Sequence, residues 1–209
     1  KAIGALNEDE VSRGFGYTFH EHDGDMKENL EAWWLSERSH EGVLMRACPE
    51  DESGLLRTAF AICLNLSEPG KIKSSLESWM KLIENILKKK IESLSMDERD
   101  SLSESSRKRY SEYGKEASSS SKENLEVPIV IVCTQSDSLV GGGLNIRQMS
   151  WLQWWLRRFC LSKGLGLICT SAKLGVNCDV LKQYVIHCAH KCGTKFDVAP
   201  QVTNLERLF

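Results

Sequence analysis

The sequence lacks three features that would assign it at once to a broad class. It contains no apolar run of about 18 residues, the length that crosses a bilayer, and no secretory signal peptide, so we expect a soluble, non-secreted protein. Its 27 basic and 29 acidic residues give a net charge of −2, which provides no long-range field toward nucleic acid or an anionic membrane. None of its eight cysteines forms a C-x-x-C pair. A reduced, cytosolic compartment is therefore expected.

One group of residues has the composition of a metal site, and it lies near the C-terminus. It consists of His187, Cys188, His190 and Cys192. The two cysteines continue the helical stripe of apolar residues before them, which favours packing in a core over a zinc site. We therefore predict no metal ion. A zinc site remains the alternative.

The length and the order of apolar segments predict one α/β domain over residues 1–209. Segments 15–21 and 30–35 are typical of an antiparallel hairpin. Segment 58–66 has the composition of a buried central strand, and a long amphipathic helix follows it, for which Ser74 and Glu77 suggest a capping box. Strands and helices then alternate. The fold class expected from this order is a mostly parallel sheet flanked by helices.

Residues 95 to about 124 interrupt that alternation. They are rich in serine and charge and hold almost no large apolar groups. Such a segment buries too little apolar surface to offset its ordering entropy. We predict a flexible, mostly disordered insertion in the domain.

Two apolar, β-branched segments end abruptly in polar residues. Val127–Cys133 leads into Thr134-Gln135-Ser136-Asp137, and Gly166–Cys169 leads into Ser171-Ala172-Lys173. Neighbouring parallel strands deliver such residues to one crevice at their carboxyl ends. In Ras-like GTPases the matching positions bind guanine, through an Asn-Lys-x-Asp carboxylate and a Ser-Ala-Lys backbone amide. Thr134, Gln135, Asp137, Ser171, Ala172 and Lys173 are thus predicted to form the guanine side of a vestigial nucleotide site.

The motifs that a GTPase needs for phosphate chemistry are missing. No G-x-x-x-x-G-K-[ST] string is present to wrap the phosphates and support magnesium, and the segment 65–72 lacks its first glycine and its hydroxyl. Segment 33–39 stands where an Asp-x-x-Gly is required, and it has neither residue at that spacing. We therefore predict no catalytic residue. In a fold of this type the phosphate loop would lie upstream of Lys1, so the domain is expected to be N-terminally incomplete, with GDP or GTP as ligand only if an upstream segment supplies that loop.

The order of several short motifs resembles one family, the GTPase-like domain of the dynein light intermediate chains. The resemblance covers most of the chain, and it is closer to the cytoplasmic dynein 1 subunits than to their ciliary relatives. The segments that carry it are Gly14–Tyr17, Ala61–Pro69 before a helix that holds Trp79, Val130–Asp137, Leu156–Cys160 and Gly164–Ser171. Gln135 departs from the lysine that members of the family often have there.

The resemblance implies a Ras-like, P-loop NTPase-type fold and a non-catalytic subunit of cytoplasmic dynein. Such a subunit binds the tail of the dynein heavy chain, associates with other dynein subunits, and recruits cargo adaptors through a C-terminal arm that this chain does not contain. It would be located in the cytoplasm, on microtubules. No nucleic acid partner and no direct membrane insertion are expected.

Three tryptophans on one predicted helix are candidates for the partner surface. On the helical wheel of residues 145–163, Trp154 points away from the apolar stripe of Met149, Leu152, Leu156, Phe159 and Cys160, with Trp151 and Trp155 on the flank. Exposed tryptophan is enriched in interface hot spots. The hypothesis is that they contact the heavy chain or another dynein subunit. The alternative is that the serine-rich insertion or a terminal extension covers them.

Two other functions compete with this interpretation. A small Ras-like GTPase with its P-loop upstream of this fragment would show Gly-Lys-Ser/Thr there and would hydrolyse GTP. A translation-type GTPase fragment would have a strongly basic surface, which the charge balance does not indicate.

Overall fold

The structure of the protein is a computed structural model that describes residues 14–21, 29–112, 125–139, 144–189, 196 and 198. Within these residues no helix has both the length and the apolar character needed to cross a membrane. The chain divides into two compact units, residues 1–50 and 51–209. The prediction of a single domain over the whole chain remains a prediction.

The first unit contains the predicted hairpin. Strands β1 (Phe15–Glu21) and β2 (Asn29–Leu35) pair antiparallel, with Tyr17 opposite Trp33. Gly16 permits this pairing, because a Cβ added there would lie 2.4 Å from the Trp34 ring. A 3-10 turn at Arg38–His40 and helix α1 (Glu41–Ala47) follow. The predicted hairpin turn at residues 22–25 lies outside the described residues.

The second unit is built on a three-stranded parallel sheet. It begins with the short helix α2 (Glu52–Leu55), and its strands β3 (Phe60–Asn65), β4 (Ile129–Thr134) and β5 (Gly166–Cys169) lie in the order β3-β4-β5. The helices are α3 (Ile72–Ser93), α4 (Met96–Glu112), α5 (Ile146–Lys163) and α6 (Cys178–Ala189). Short 3-10 turns at Pro69–Lys71 and Ser136–Leu139 follow β3 and β4. The predicted α/β class with a parallel sheet flanked by helices is confirmed.

Strand β4 is the centre of this sheet, and Ile129–Cys133 are all buried. The segment 58–66 was expected to be a central strand, but among the described residues β3 pairs with β4 alone. Burial alternates along it: Ile62 and Leu64 are buried, whereas Cys63 is exposed. A continuous apolar run does not distinguish a strand with neighbours on both sides from a strand with one neighbour, because the pairing partners of a strand are not encoded in its own composition.

The long helix α3 begins earlier than the predicted capping box. Its first residue is Ile72, directly after the 3-10 turn that contains Pro69, and proline fixes the backbone angle that a first helical turn needs. The Ser74 hydroxyl donates to the Lys71 carbonyl instead of capping the helix, so the predicted capping box at Ser74 and Glu77 is wrong. The predicted apolar stripe is confirmed, since Leu76, Ile83 and Leu87 are buried.

The serine-rich segment contains more structure than predicted. Residues Met96–Glu112 form α4, with Leu102 fully buried and Ser106 nearly so. The Ser95 amide and hydroxyl both donate to the Glu98 carboxylate, which supplies a start signal for the helix. Local capping and one buried leucine hold this helix despite its polar composition. Residues 113–124 of the predicted insertion lie outside the described residues.

Candidate functional site

The ends of β4 and β5 meet, as the two polar segments predict. The strands pair in parallel with Cys133 opposite Cys169, and the Thr170 amide donates to the Cys133 carbonyl at 2.8 Å. The Ser136 amide in turn donates to the Thr170 carbonyl at 3.0 Å. These bonds bring the residues after β4 and the residues after β5 together at one corner of the sheet.

The centre of this corner is a hydrogen bond between two predicted residues. The Ser171 hydroxyl, which is fully buried, donates to Oδ1 of Asp137 at 2.5 Å. The same hydroxyl accepts from the Leu174 amide at 3.2 Å. The bond from Ser171, and to a lesser degree the nearby charge of Lys173, lowers the pKa of Asp137. The carboxylate is thus held ionised in a fixed orientation, which suits it to accept N–H groups from a planar base edge.

The remaining predicted residues differ in how far they face a ligand. Ala172 and Lys173 are exposed in the turn after Ser171. The Ser171 amide donates to the Val176 carbonyl at 3.1 Å. Within the described part of the chain, the amides of Ala172 and Lys173 have no such backbone acceptor. The amide that could meet a base oxygen therefore belongs to one of these two residues.

Two predicted residues serve the scaffold of the corner. The Thr134 hydroxyl donates to the Leu64 carbonyl at 3.2 Å and so links β4 to β3. Gln135 is exposed and has a positive φ of 56°, a backbone conformation that costs free energy for residues other than glycine. That conformation turns the chain directly after β4 and places Asp137 opposite Ser171.

Asn177 is a supporting residue that the sequence analysis missed. It has a φ of 57°, and its side-chain amide donates to the Cys169 carbonyl at 2.8 Å. This closes the loop from β5 to α6. The signal was present in the sequence, because Gly175 and Asn177 are residue types that tolerate the left-handed region.

Two cysteines near this corner are buried, and a third is exposed. Cys133 and Cys169 are buried on neighbouring strands, and their mutual hydrogen bond together with burial raises the pKa of the Cys133 thiol. Cys63 was expected to be buried, but it lies on the exposed side of β3. Cys188 is buried in α6, and among the described residues no cluster of His, Cys, Asp and Glu is arranged to hold a metal ion. His190 and Cys192 lie outside the described residues.

Helix α5 is capped at both ends. At its N-terminus, Asn145 and Gln148 exchange side-chain to backbone bonds in a capping box. At its C-terminus, Gly164 takes a left-handed conformation with a φ of 68°. Leu152, Leu156 and Cys160 are buried as predicted. The stripe differs in detail, since Met149 and Phe159 are only half-buried while Gln153, which was not predicted, is buried.

The opposite side of α5 carries exposed aromatic residues. Trp151 and Trp154 are 57% and 54% exposed. Trp155 is half-buried and stacks on Trp151, with ring centroids 6.4 Å apart. The Arg158 guanidinium lies 5.3 Å from the centre of the Trp154 ring. We call the exposed line of residues the Arg–Trp face; it consists of Arg147, Trp151, Trp154, Arg158 and Leu161.

An open groove adjoins the N-terminal end of the Arg–Trp face. It has a volume of about 470 Å³, and its lining residues are Pro69, Gly70, Leu144, Arg147, Gln148, Trp151 and Leu152. The groove joins the turn after β3 to the start of α5. No sequence signal predicts this groove, since the two segments that line it are far apart in the chain.

Comparison with known proteins decides the family. A profile described as "Dynein light intermediate chain (DLIC)" matches residues 2–123 and 117–208. The chain belongs to the dynein light intermediate chain family. The predicted family is confirmed.

Individual relatives agree with this assignment. The chain is similar to cytoplasmic dynein 1 light intermediate chain 1 of Gallus gallus, with 25% identity over 99% of this chain and 46% of the relative. The human protein of the same name is 24% identical over 89% of this chain and 42% of the relative. The Dictyostelium discoideum protein is 41% identical over 66 residues. The chain thus spans less than half the length of these relatives.

A solved structure supports the fold. The crystal structure of the conserved domain of a dynein light intermediate chain superposes with a TM-score of 0.68, at 18% identity, over 93% of this chain and 70% of that chain. The conserved domain has a Ras-like fold, and the Ras-like fold predicted for this chain is confirmed.

Proposed function

We propose that this protein is a non-catalytic subunit of cytoplasmic dynein that binds the tail of the heavy chain and links the motor to cargo adaptors. The observation that carries the proposal is the Arg–Trp face, which leaves two tryptophans more than half exposed on a well-capped helix. Large apolar side chains in that position are typical of a protein interface. Adaptor recruitment would use a C-terminal region outside this chain. The expected location is the cytoplasm, on microtubules.

The absence of phosphate-binding motifs from the sequence supports a subunit over an enzyme. The described corner offers a carboxylate and backbone amides for a base, but the sequence has no G-x-x-x-x-G-K-[ST] string for phosphates. Base contacts alone position a nucleotide and do not activate its γ-phosphate. Hydrolysis by this chain alone is therefore not expected.

The heavy-chain proposal is tested by replacing Trp154 with Glu in the full-length protein. A charge at the centre of the face removes apolar contact and adds a group that is costly to desolvate, so co-purification with the heavy-chain tail should fall about tenfold or more. Met96→Glu is the matched control, because Met96 is 78% exposed on a different helix. If a folded W154E protein assembles with the heavy-chain tail as the wild type does, this face is not part of the interface.

A second candidate function is retention of a guanine nucleotide as a structural ligand. The bond from Ser171 to Asp137 favours it, because it presents an ionised carboxylate at the position that the family of folds uses for the base. Calorimetry of the full-length protein with GDP and GTP tests it, with Asp137→Asn as the variant in which an N–H₂ donor replaces one of the two carboxylate acceptors. Binding that is equal in the wild type and D137N would exclude this corner, and GTP turnover would favour the small-GTPase alternative.

A further inference from the structure

The Arg–Trp face is a straight line of side chains along one helix. Its members are spaced i, i+4, i+7, i+11 and i+14 from Arg147 to Leu161, and each of them is exposed. At 1.5 Å per residue the line is about 21 Å long, or nearly four helical turns. A ridge of this length and period is complementary to the groove between side-chain rows of another helix.

The charge of helix α5 is entirely of one sign. Residues 146–163 include Arg147, Arg157, Arg158 and Lys163 and no acidic residue, in a chain whose net charge is −2. Lys163 is paired with Glu84 at 3.0 Å, on the side that faces α3. Arg147 and Arg158 form no ion pair with any residue that the structure describes. Among the described residues, the face therefore presents two guanidinium groups without an ion-pair partner, with two indoles between them.

We infer that the Arg–Trp face binds an acidic amphipathic α-helix of a partner protein. Apolar side chains of that helix would cover Trp151, Trp154 and Leu161, and its carboxylates would pair with Arg147 and Arg158. Arginine forms bidentate bonds with carboxylates while it remains stacked on an aromatic ring, as Arg158 is on Trp154. The inference rests on the proposed function, in which this face meets a dynein subunit, and it names the chemistry of the bound segment.

The groove gives the partner helix an end point. Arg147 and Trp151 belong to both the face and the groove, and Pro69 and Gly70 also line the groove. An apolar residue in the first turn of the partner helix would fill part of this volume, with a carboxylate beside it for Arg147. The groove thereby fixes the register along the ridge.

The spacing of the charges disfavours a nucleic acid or a lipid surface as the ligand. Arg147 and Arg158 are separated by about 16 Å along the helix axis, whereas duplex DNA has one negative charge per about 1.7 Å. A helix that binds a membrane buries a broad apolar face, but the broad apolar side of α5 is already occupied by Leu152, Leu156 and Cys160 in the core. Both ligands are included as arms of the test.

The test uses two designed peptides of about five helical turns. One carries leucine on one side and glutamate on the other, and the second has lysine in place of every glutamate. In calorimetry with the full-length protein, the glutamate peptide should bind about tenfold or more tightly than the lysine peptide, and the difference should shrink as salt is added. The double variant R147E/R158E should reverse this preference, whereas R147K/R158K, which keeps both charges, should preserve it.

The inference is overturned if the wild type shows no preference for the glutamate peptide, or if R147E/R158E, shown to be folded by circular dichroism, keeps that preference. It is also overturned if vesicles with anionic lipid or a polyuridylate RNA bind more tightly than the glutamate peptide. Co-purification with the heavy-chain tail judges the proposed function separately. If the protein prefers the glutamate peptide but does not associate with the heavy-chain tail, the proposed function is wrong and this inference is still supported.

Discussion

At the corner after β4 and β5, the polar groups are largely bonded to one another, whereas on the Arg–Trp face the guanidinium groups and indoles face solvent. Ser171 is fully buried and bonds both Asp137 and the Leu174 amide. Trp154 is more than half exposed, and the Arg158 guanidinium lies over its ring. The first region is pre-organised by its own contacts. We propose that the second acquires its full set of contacts from a partner.

The difference follows from where each region sits in the fold. The corner is formed by two neighbouring strands whose register is fixed along their whole length, so its side chains inherit defined positions. The face is formed by the outer side of a helix whose inner side supplies the packing energy. Substitutions on the two sides of α5, in the turn between α5 and β5, and at the corner can therefore separate stability from function.

The largest effect is expected from the inner side of α5. Leu156 is 1% exposed, and Leu156→Ala should lower the free energy of unfolding by about 2–5 kcal/mol, since it removes buried methyl groups and leaves a cavity. Chemical denaturation of the full-length protein measures this loss. Trp154→Ala is the matched control two residues away, and it should change stability by about 0.5 kcal/mol. Comparable losses in the two variants would contradict the division of α5 into a packed side and a partner side.

An intermediate effect is expected where α5 ends and the chain enters β5. Gly164 has a φ of 68°, and the Leu165 amide donates to the Cys160 carbonyl around it at 2.8 Å. Gly164→Ala should cost about 1 kcal/mol, because a side chain with a Cβ is strained in the left-handed region. Gly42→Ala in α1 is the control, since an added Cβ meets nothing within 4 Å there and alanine favours a helix. A G164A protein as stable as the wild type would show that this turn is not constrained.

The smallest effect is expected at the corner, as a shift in acid titration. The bond from Ser171 lowers the pKa of Asp137 in the folded protein below its unfolded value. The associated stabilisation is therefore present above the unfolded pKa and is lost as pH falls through the folded pKa. In Ser171→Ala the pKa of Asp137 should rise toward the usual aspartate range, which carbon-detected NMR titration can follow.

Ser138→Ala is the control for that titration. The Ser138 hydroxyl donates to the Gln135 carbonyl at 2.7 Å and does not touch Asp137, although it lies in the same loop. The pKa of Asp137 should be the same in S138A and the wild type. An unchanged pKa in S171A would mean that the hydroxyl does not hold the carboxylate.

Much of the fold was predictable because the decisive signals were local. The hairpin of β1 and β2, the stripe of α3 and the two strands that end in polar residues all follow from periodicity within a short window. Three errors arose where the outcome depended on distant residues. They are the position of β3, which pairs with β4 alone among the described residues, the exposure of Cys63, and the helix at 96–112, whose Leu102 is fully buried.

The candidate sites divide in the same way. The sequence predicted Asp137, Ser171 and the tryptophans as site residues. The position of a residue at the end of a strand or on a helical wheel indicates which way its side chain points. Three other features could not be predicted from the sequence. They are the hydrogen bond from the Ser171 amide to the Val176 carbonyl, the bond by which Thr134 links β4 to β3, and the groove beside Trp151. Each of these involves an acceptor or a wall contributed by another segment of the fold.

The sequence by itself determined the family, the order of strands and helices, and the absence of a phosphate-binding motif from residues 1–209, because these depend on residue types and on spacing along the chain. Only the tertiary structure decided which of the three described parallel strands lies between the other two, which hydroxyl orients Asp137, and that two arginines and two tryptophans form one exposed line beside a groove. Those features depend on distances between segments far apart in the chain. Such distances are fixed when the sheet and its helices pack together.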